Sequence, residues 1–441
     1  MSTAILCGLI ILITLIIMLI AGVPIAVALG VSSVCAILPI MDFDVAVLTG
    51  AQRIFSGISV FSLLAIPFFI LAGNIMNKGG IAIRIINLAK VITGRTPGAL
   101  AQTNVLANML FGAISGSGTA AASAMGSIIG PIEKEEGYDP SFSAAVNVAT
   151  APTGLLIPPS NVMITFSLVS GGASVAALFM AGYIPGILWG LACMAVVYFM
   201  AKKRGYRSTA KYTAGEALKI FFQALPCLLL IIIVIGGIIA GVFTATEGSV
   251  VAVVYSLVLS LVFYKSIKLK DLPKIFIESA EMTGIIIFLI GVSGIMSWVM
   301  AFTNIPEAVS AGMLAISSSK IVILLLINII LLVVGTFMDM TPAVLIFTPI
   351  FLPICEALGM NMIHFGIMMI FNLCIGTITP PVGTTLFVGV KVGGVKIETV
   401  IRQLLVYFAA IFIVLLLVTY IPQLSLWLPS LMGYVSKKGR L

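Results

Sequence analysis

Three stretches of the chain, 4–22, 225–242 and 321–334, contain no charged residue. No soluble fold can bury several segments of that kind, and the first two are about the length needed to cross a hydrocarbon core of roughly 30 Å. Composition agrees. Of 441 residues, 61% are hydrophobic, and only 9% carry charge where a soluble domain has about 25%. The chain is therefore read as an integral membrane protein. That excludes a secreted disulfide scaffold, a nucleic-acid binder and an ordinary cytosolic enzyme. The six cysteines (Cys7, Cys35, Cys193, Cys227, Cys355 and Cys374) lie in apolar runs without CxxC spacing, so they read as small buried hydrophobes.

Backbone amides in lipid must bond within their own segment or within a closed barrel. Barrel strands alternate apolar and polar residues, and these runs do not, which leaves an all-α polytopic fold. The first run has no basic n-region and no cleavage site, so it is expected to be a retained helix. Helices are expected near 4–21, 23–40, 58–76, 174–200, 217–242, 246–264, 284–302 and 403–421. Four other apolar segments, 98–130, 142–170, 321–356 and 362–390, are interrupted by Gly, Pro, Ser and Thr. The net charge of +8 sets orientation. One cluster is Lys202, Lys203, Arg204, Arg207 and Lys211, and the other is Lys265, Lys268, Lys270 and Lys274. Two helices separate them, so both can face the cytoplasm. The stretch 78–96 fits either an interfacial amphipathic helix or a spanning helix with snorkelling ends.

A shift of 222 residues aligns the interrupted segments without a gap. Thr119 meets Thr341, Pro131 meets Pro353, Gly137 meets Gly359, Gly154 meets Gly376, and Pro158-Pro159 meets Pro380-Pro381. Paired Gly/Pro-broken segments in matching halves point to an inverted-repeat secondary transporter with a midplane site. In the first half, 115–118 is expected to be the tip of a re-entrant hairpin, its second helix running from Thr119 to about Gly130-Pro131. The following helix breaks at 152–154, and Pro158-Pro159-Ser160-Asn161 opens its second half. In the second half, 335–340 is the tip, Thr341-Pro342 fits N-cap and N1, and 376–385 is the break. Unwound carbonyls and nearby hydroxyls suit a hard cation such as sodium, and half-helix N-termini suit an anion such as a carboxylate.

Some of these residues have a second reading. Gly112, Gly116, Gly126 and Gly130 also fit close helix packing. Asp339, an acid within an apolar stretch, is a functional residue or a cap at the tip. Glu247, Glu278, Glu281 and His364 read as interfacial or structural. Asn147 and Asn372 line a cavity or bond across helices, and 133–136 reads as a solvated loop. With one histidine, no HExxH and no P-loop, neither zinc catalysis nor ATP hydrolysis is expected.

The motifs GAISGSGTAAASAMG (112–126), EKEEGY (133–138), APTGLLIPPS (151–160), GTFMDM (335–340) and TPPVG (379–383) resemble the large membrane subunit of tripartite ATP-independent periplasmic (TRAP) transporters. The resemblance covers essentially the whole chain. It implies sodium-driven import of an organic acid, such as a sialic acid or a C4-dicarboxylate, across a bacterial inner membrane. Two partners are implied: a small membrane subunit of about four helices and a periplasmic substrate-binding protein. It further implies an elevator, with scaffold and arm helices in 1–97, transport halves in 98–173 and 321–400, scaffold in 174–320, and a C-terminal helix in 401–441. By the same resemblance, sodium site 1 comprises Ser115, Gly116, Ser117, Thr119, Gly154, Pro158 and Asn161. Site 2 comprises Thr336, Met338, Asp339, Thr341, Gly376, Thr379 and Gly383. The substrate would meet Ser117, Ser160, Asn161, Asp339, Thr384 and Thr385. Sodium is the coupling ion, with no other cofactor and no transition metal. The rival expectations are a stand-alone sodium/dicarboxylate symporter or ion antiporter, and a purely structural subunit.

Overall fold

With no water to satisfy it inside a bilayer, the backbone bonds to itself turn by turn, and no strand occurs among the described residues. The computed structural model describes residues 3–206, 212–317 and 319–435, so Arg207 and Lys211 of the first basic cluster lie outside the described residues. The order is α1 (Thr3–Ile20), α2 (Ile25–Ile37), α3 (Phe43–Ile58), α4 (Ala65–Lys78), α5 (Ile81–Thr93), α6 (Ala99–Ser115) and α7 (Gly118–Glu135). Next come α8 (Pro140–Thr150), α9 (Thr153–Leu156), α10 (Asn161–Val169), α11 (Val175–Arg204), α12 (Ala214–Ile239), α13 (Ala245–Val258) and α14 (Leu272–Phe302). The chain finishes with α15 (Ile305–Ile316), α16 (Lys320–Phe337), α17 (Met340–Ala357), α18 (Met362–Gly376), α19 (Thr384–Gly393), α20 (Ile397–Tyr420) and α21 (Gln423–Leu431). Among the described residues nine helices are long and apolar enough to cross a membrane, and the pair formed by α8–α9 and α10 bends by 47° at its break.

Burial sorts these helices. On α1 only Cys7, Ile11 and Leu15 are buried, a single stripe at four-residue spacing, and the rest faces outward. On α8 and α18 nearly every residue is buried, so these two helices form the centre. Trp189 of α11 fits between them. Its ring lies 4.8 Å from that of Phe371, and its indole N–H donates to Ala149 O at 2.8 Å. At the ends of α12 and α13, Thr213/Glu216 and Thr244/Glu247 form capping boxes, which gives Glu247 its structural role. Glu278 pairs with Lys78.

The 222-residue repeat reappears in the element bounds. Gly118–Glu135 maps onto Met340–Ala357, Pro140 onto Met362, and both Pro158-Pro159 and Pro380-Pro381 bonds are cis. In each half a helical hairpin precedes a broken helix and packs on it.

Several expectations need correction. Helices α3, α15 and α21 were not anticipated, and α14 begins at Leu272, not near 284. Helix α5 has 13 residues, about 20 Å long at 1.5 Å per residue, so it does not span. It turns Ile81, Ala82, Ile85, Ile86 and Ala89 inward, and stacks Arg84 on the Tyr264 ring at 3.5 Å. Helix α7 continues through Pro131 to Glu135, because a proline near a helix end removes one hydrogen bond without stopping the turn. As a result Glu133 is on the helix and fully buried, not in a solvated loop. The N-cap of α17 is Asp339, which places Thr341 and Pro342 at its second and third positions. Pro158-Pro159 precede α10, whose N-cap is Ser160.

Candidate functional site

The first tip forms because α6 ends on Gly116 in the left-handed region (φ 61°), where a side chain would be strained. Its N–H bonds to Gly112 O at 2.8 Å. Ser117 then caps α7, its Oγ accepting from Ala120 N at 3.3 Å and lying 3.2 Å from Thr119 Oγ1. The tip rests on the first break. A methyl added at Gly116 would come within 3.1 Å of Pro159 O and 3.9 Å of Asn161 N and Nδ2. The Ser160 hydroxyl and Asn161 Oδ1 are buried there without a protein partner. Such atoms are costly unless something else satisfies them.

The second tip is Met338-Asp339, joined to its break by Val382 N–H donating to Thr336 O at 3.0 Å. Within the break, Thr385 and Leu386 N–H both donate to Thr377 O, and Gly383 N–H donates to Thr379 O. Thr384 Oγ1 donates to Asp339 Oδ1 at 3.5 Å, and Asp339 is exposed. Asp339 is the N-cap residue of α17, and its side chain makes no hydrogen bond of the usual cap geometry.

The two halves meet. A methyl on Gly118 would lie 3.3 Å from Thr385 Oγ1, and Cys374 Sγ lies 3.8 Å from Pro152 O. Helix α7 packs on α19, and α10 on α17, so each half's hairpin touches the other half's second half-helix. Four half-helix N-termini, at Gly118, Asn161, Met340 and Thr384, therefore start at the four clustered tips and breaks. Their dipoles favour an anion, while unpaired carbonyls and hydroxyls favour a cation.

Of the first predicted set, Gly116, Ser117, Thr119 and Asn161 come together at the tip. Ser115 is buried beside them, its hydroxyl 3.5 Å from Ser117 O. Pro158 is buried at the cis bond. Gly154 sits one helical turn below, where its backbone lies against that of Gly112. Of the second set, Thr336, Met338, Asp339, Thr379 and Gly383 surround one junction, with Thr341 in the first turn of α17. Gly376 packs on Gly335, as Gly154 does on Gly112. Ser160 adjoins the first set, Thr384 bonds to Asp339 in the second, and Thr385 lies against Gly118 of the first tip. The Thr379 hydroxyl donates back to Ile375 O, leaving its lone pairs free to accept. Sequence reasoning did not single out Thr377, whose carbonyl holds two N–H groups. Its position inside the Gly376–Thr385 interruption was the available signal.

Asn372 bonds across helices, its amide donating to Asn328 Oδ1 at 2.8 Å and Asn328 O at 3.0 Å. Asn147 does the same toward Ala122 O at 2.7 Å, and it also borders a cavity. His364 is structural, with Nε2 at 2.7 Å from Val418 O.

A multi-pass helical protein whose paired hairpins and broken helices converge on one polar centre is a membrane transporter. Residues 12–424 match the family described as tripartite ATP-independent periplasmic transporter, DctM component, and the chain belongs to that family. It is accordingly a permease of secondary transport, multi-pass in the bacterial inner membrane. It is 53% identical over 94% of its length to the uncharacterised protein YgiK of Salmonella typhimurium, covering 95% of that protein. It is 38% identical over 87% of its length to the sialic acid TRAP transporter large permease protein SiaM of Vibrio cholerae, covering 90% of it. The crystal structure of the YdaH transporter of Alcanivorax borkumensis shares the fold, with a TM-score of 0.66 at 14% identity over 95% of this chain and 98% of that one.

Proposed function

We propose that the chain is the large transmembrane subunit of a sodium-coupled importer of an organic acid of the sialic acid or C4-dicarboxylate class. The observation that supports this reading is the convergence of both tips and both breaks, with Ser160 Oγ and Asn161 Oδ1 of the first break buried without protein partners. One sodium ion would sit at each tip–break junction, on the two residue sets given above. The acid would lie between the junctions, against Ser117, Ser160, Asn161, Asp339, Thr384 and Thr385. The hairpins are re-entrant in this reading, and the two halves are inverted relative to each other.

Residues 98–173 and 321–400 would move together as an elevator against a scaffold formed by the remaining helices. Sodium draws the tips onto the breaks, which completes the anion site, and only the doubly loaded domain crosses. The outward apolar faces of α1 and α3, with Ile13, Ile17, Phe43, Leu48 and Phe55 exposed, suit a small membrane subunit. A periplasmic binding protein would deliver the substrate. The test is uptake into proteoliposomes holding all three components. Uptake should require sodium, and equal uptake in potassium would defeat the proposal. Activity without the small subunit and binding protein would instead favour a stand-alone symporter.

A further inference from the structure

A second polar centre lies near the opposite ends of α6 and α7 from their shared tip. Asn104 is 12 residues before Gly116, about 18 Å along the helix. A cavity of about 260 Å³ there is bordered by Asn104 of α6, Glu133 of α7, Ser143 and Asn147 of α8, and Gly389 and Val392 of α19. Glu133 is 0% exposed, Asn104 1%, Asn147 2% and Ser143 6%. Ser143 and Asn104 face the Glu133 carboxyl closely, yet neither carboxyl oxygen, nor the Ser143 hydroxyl, nor Asn104 Nδ2 makes a well-formed hydrogen bond to the protein. The two ion pairs among the described residues, Lys78–Glu278 and Arg204–Asp139, do not involve Glu133. Its neighbour Lys134 also borders the cavity, but it is exposed and makes no ion pair with Glu133.

A buried carboxylate without a counter-charge costs several kcal/mol, far more than an apolar side chain of equal size at the same place. Apart from the exposed Lys134, the other groups lining the cavity are neutral, and Ser143 Oγ and Asn147 Oδ1 add oxygens to the two of the carboxylate. One negative charge among neutral oxygen donors balances one positive charge. We infer that Glu133, Ser143 and Asn147 form a binding site for a monovalent alkali cation, separate from both tips.

The site is wired toward the first break. Asn108 Nδ2 lies 2.8 Å from Asn104 Oδ1 and 3.0 Å from both Asn147 Oδ1 and Thr150 Oγ1. Its two protons serve three acceptors, so drawing Asn147 Oδ1 onto a cation leaves Asn104 and Thr150 fully bonded. Thr150 ends α8, and its carbonyl accepts from Thr153 Oγ1 at 2.6 Å in the break itself. The Glu133 cavity and the segment that carries Ser160 and Asn161 thus share one chain of hydrogen bonds.

The test is saturation binding of radioactive sodium to the purified full chain in nanodiscs, with lithium and potassium as competitors and choline as ionic filler. Glu133→Gln keeps the shape and removes the charge. It should delete one component of the isotherm or weaken it at least about tenfold, the loss expected when a metal site loses support. Ser143→Ala should weaken the same component, and it serves as the readout should Glu133→Gln fail to fold. Asn161→Ala separates this inference from the tip assignment. If the tips bind no sodium, Asn161→Ala leaves the isotherm intact while Glu133→Gln still removes its component. Superimposable isotherms for wild type and either cavity variant would overturn the inference. So would a Glu133→Gln chain that is more stable but binds sodium unchanged, because the carboxyl would then be a neutral packing group.

Discussion

Ser160→Ala separates a hydroxyl that supports the first sodium site, beside its residue Asn161, from an idle one by the sign of its effect. The Ser160 side chain is 0% exposed, and its oxygen has no protein partner. A hydroxyl left in that condition costs about 1 to 3 kcal/mol, so replacing it with a methyl should stabilise the sodium-free protein by up to that amount. Sodium reverses the balance. At one hundred times its dissociation constant, a ligand stabilises the folded state by about 2.7 kcal/mol. A tenfold loss of affinity removes about 1.4 kcal/mol of that, since each factor of ten has this value. The variant should therefore unfold at a higher temperature than wild type in choline chloride, and gain less on addition of sodium. The assay is thermal unfolding across a sodium titration in detergent, with potassium as control. A variant less stable than wild type without sodium, with an unchanged sodium midpoint, would refute the reasoning and leave Ser160 a plain packing residue.

Asp339→Ala should raise the sodium concentration needed for half-maximal uptake, measured in proteoliposomes. An unchanged sodium dependence would remove Asp339 from the second site. Gly376→Ala puts a methyl 2.5 Å from the carbonyl carbon and oxygen of Gly335, and backbone cannot rotate aside. It should cost about 1 to 3 kcal/mol or more by overpacking, seen as a lower unfolding temperature. The Asn328–Asn372 bridge joins α16 to α18, and a double-mutant cycle with leucine at both positions should give a coupling of about 0.6 to 1.7 kcal/mol, the range for interhelical bonds in membranes. Zero coupling would show the amides to be independent.

What the residues disclosed, and what they hid, follows from where the determinants lie. Pro158-Pro159 and Pro380-Pro381 act on their own backbone, so the two breaks and the tips before them could be placed from the chain alone. Gly112 against Gly154 and Gly335 against Gly376 could be suspected from spacing, but the pairing is a tertiary fact. Helix α3 was hidden because Asp44, Gln52 and Arg53 interrupt its apolar pattern, while its register is set by packing on α14. Glu133 was misread for a related reason. A charged EKEE run ordinarily means water, and only the packing of α8 over α7 seals the first of these four residues inside while Lys134, Glu135 and Glu136 stay out. The helix period places consecutive residues on different faces, so one charge of a run can be buried without the others. Where that happens without a compensating partner, the departure from local rules marks a functional position more sharply than the charge run itself. In the first half, unpartnered groups gather at the break, on Ser160 and Asn161, and at the cavity, on Glu133, Ser143 and Asn104, with Gln102 Oε1 and Asn108 Oδ1 besides. Asn108 Nδ2 lies within hydrogen-bond distance of both Asn147 Oδ1 and Thr150 Oγ1, so the cavity and the end of α8 that leads into the break share one hydrogen-bond network.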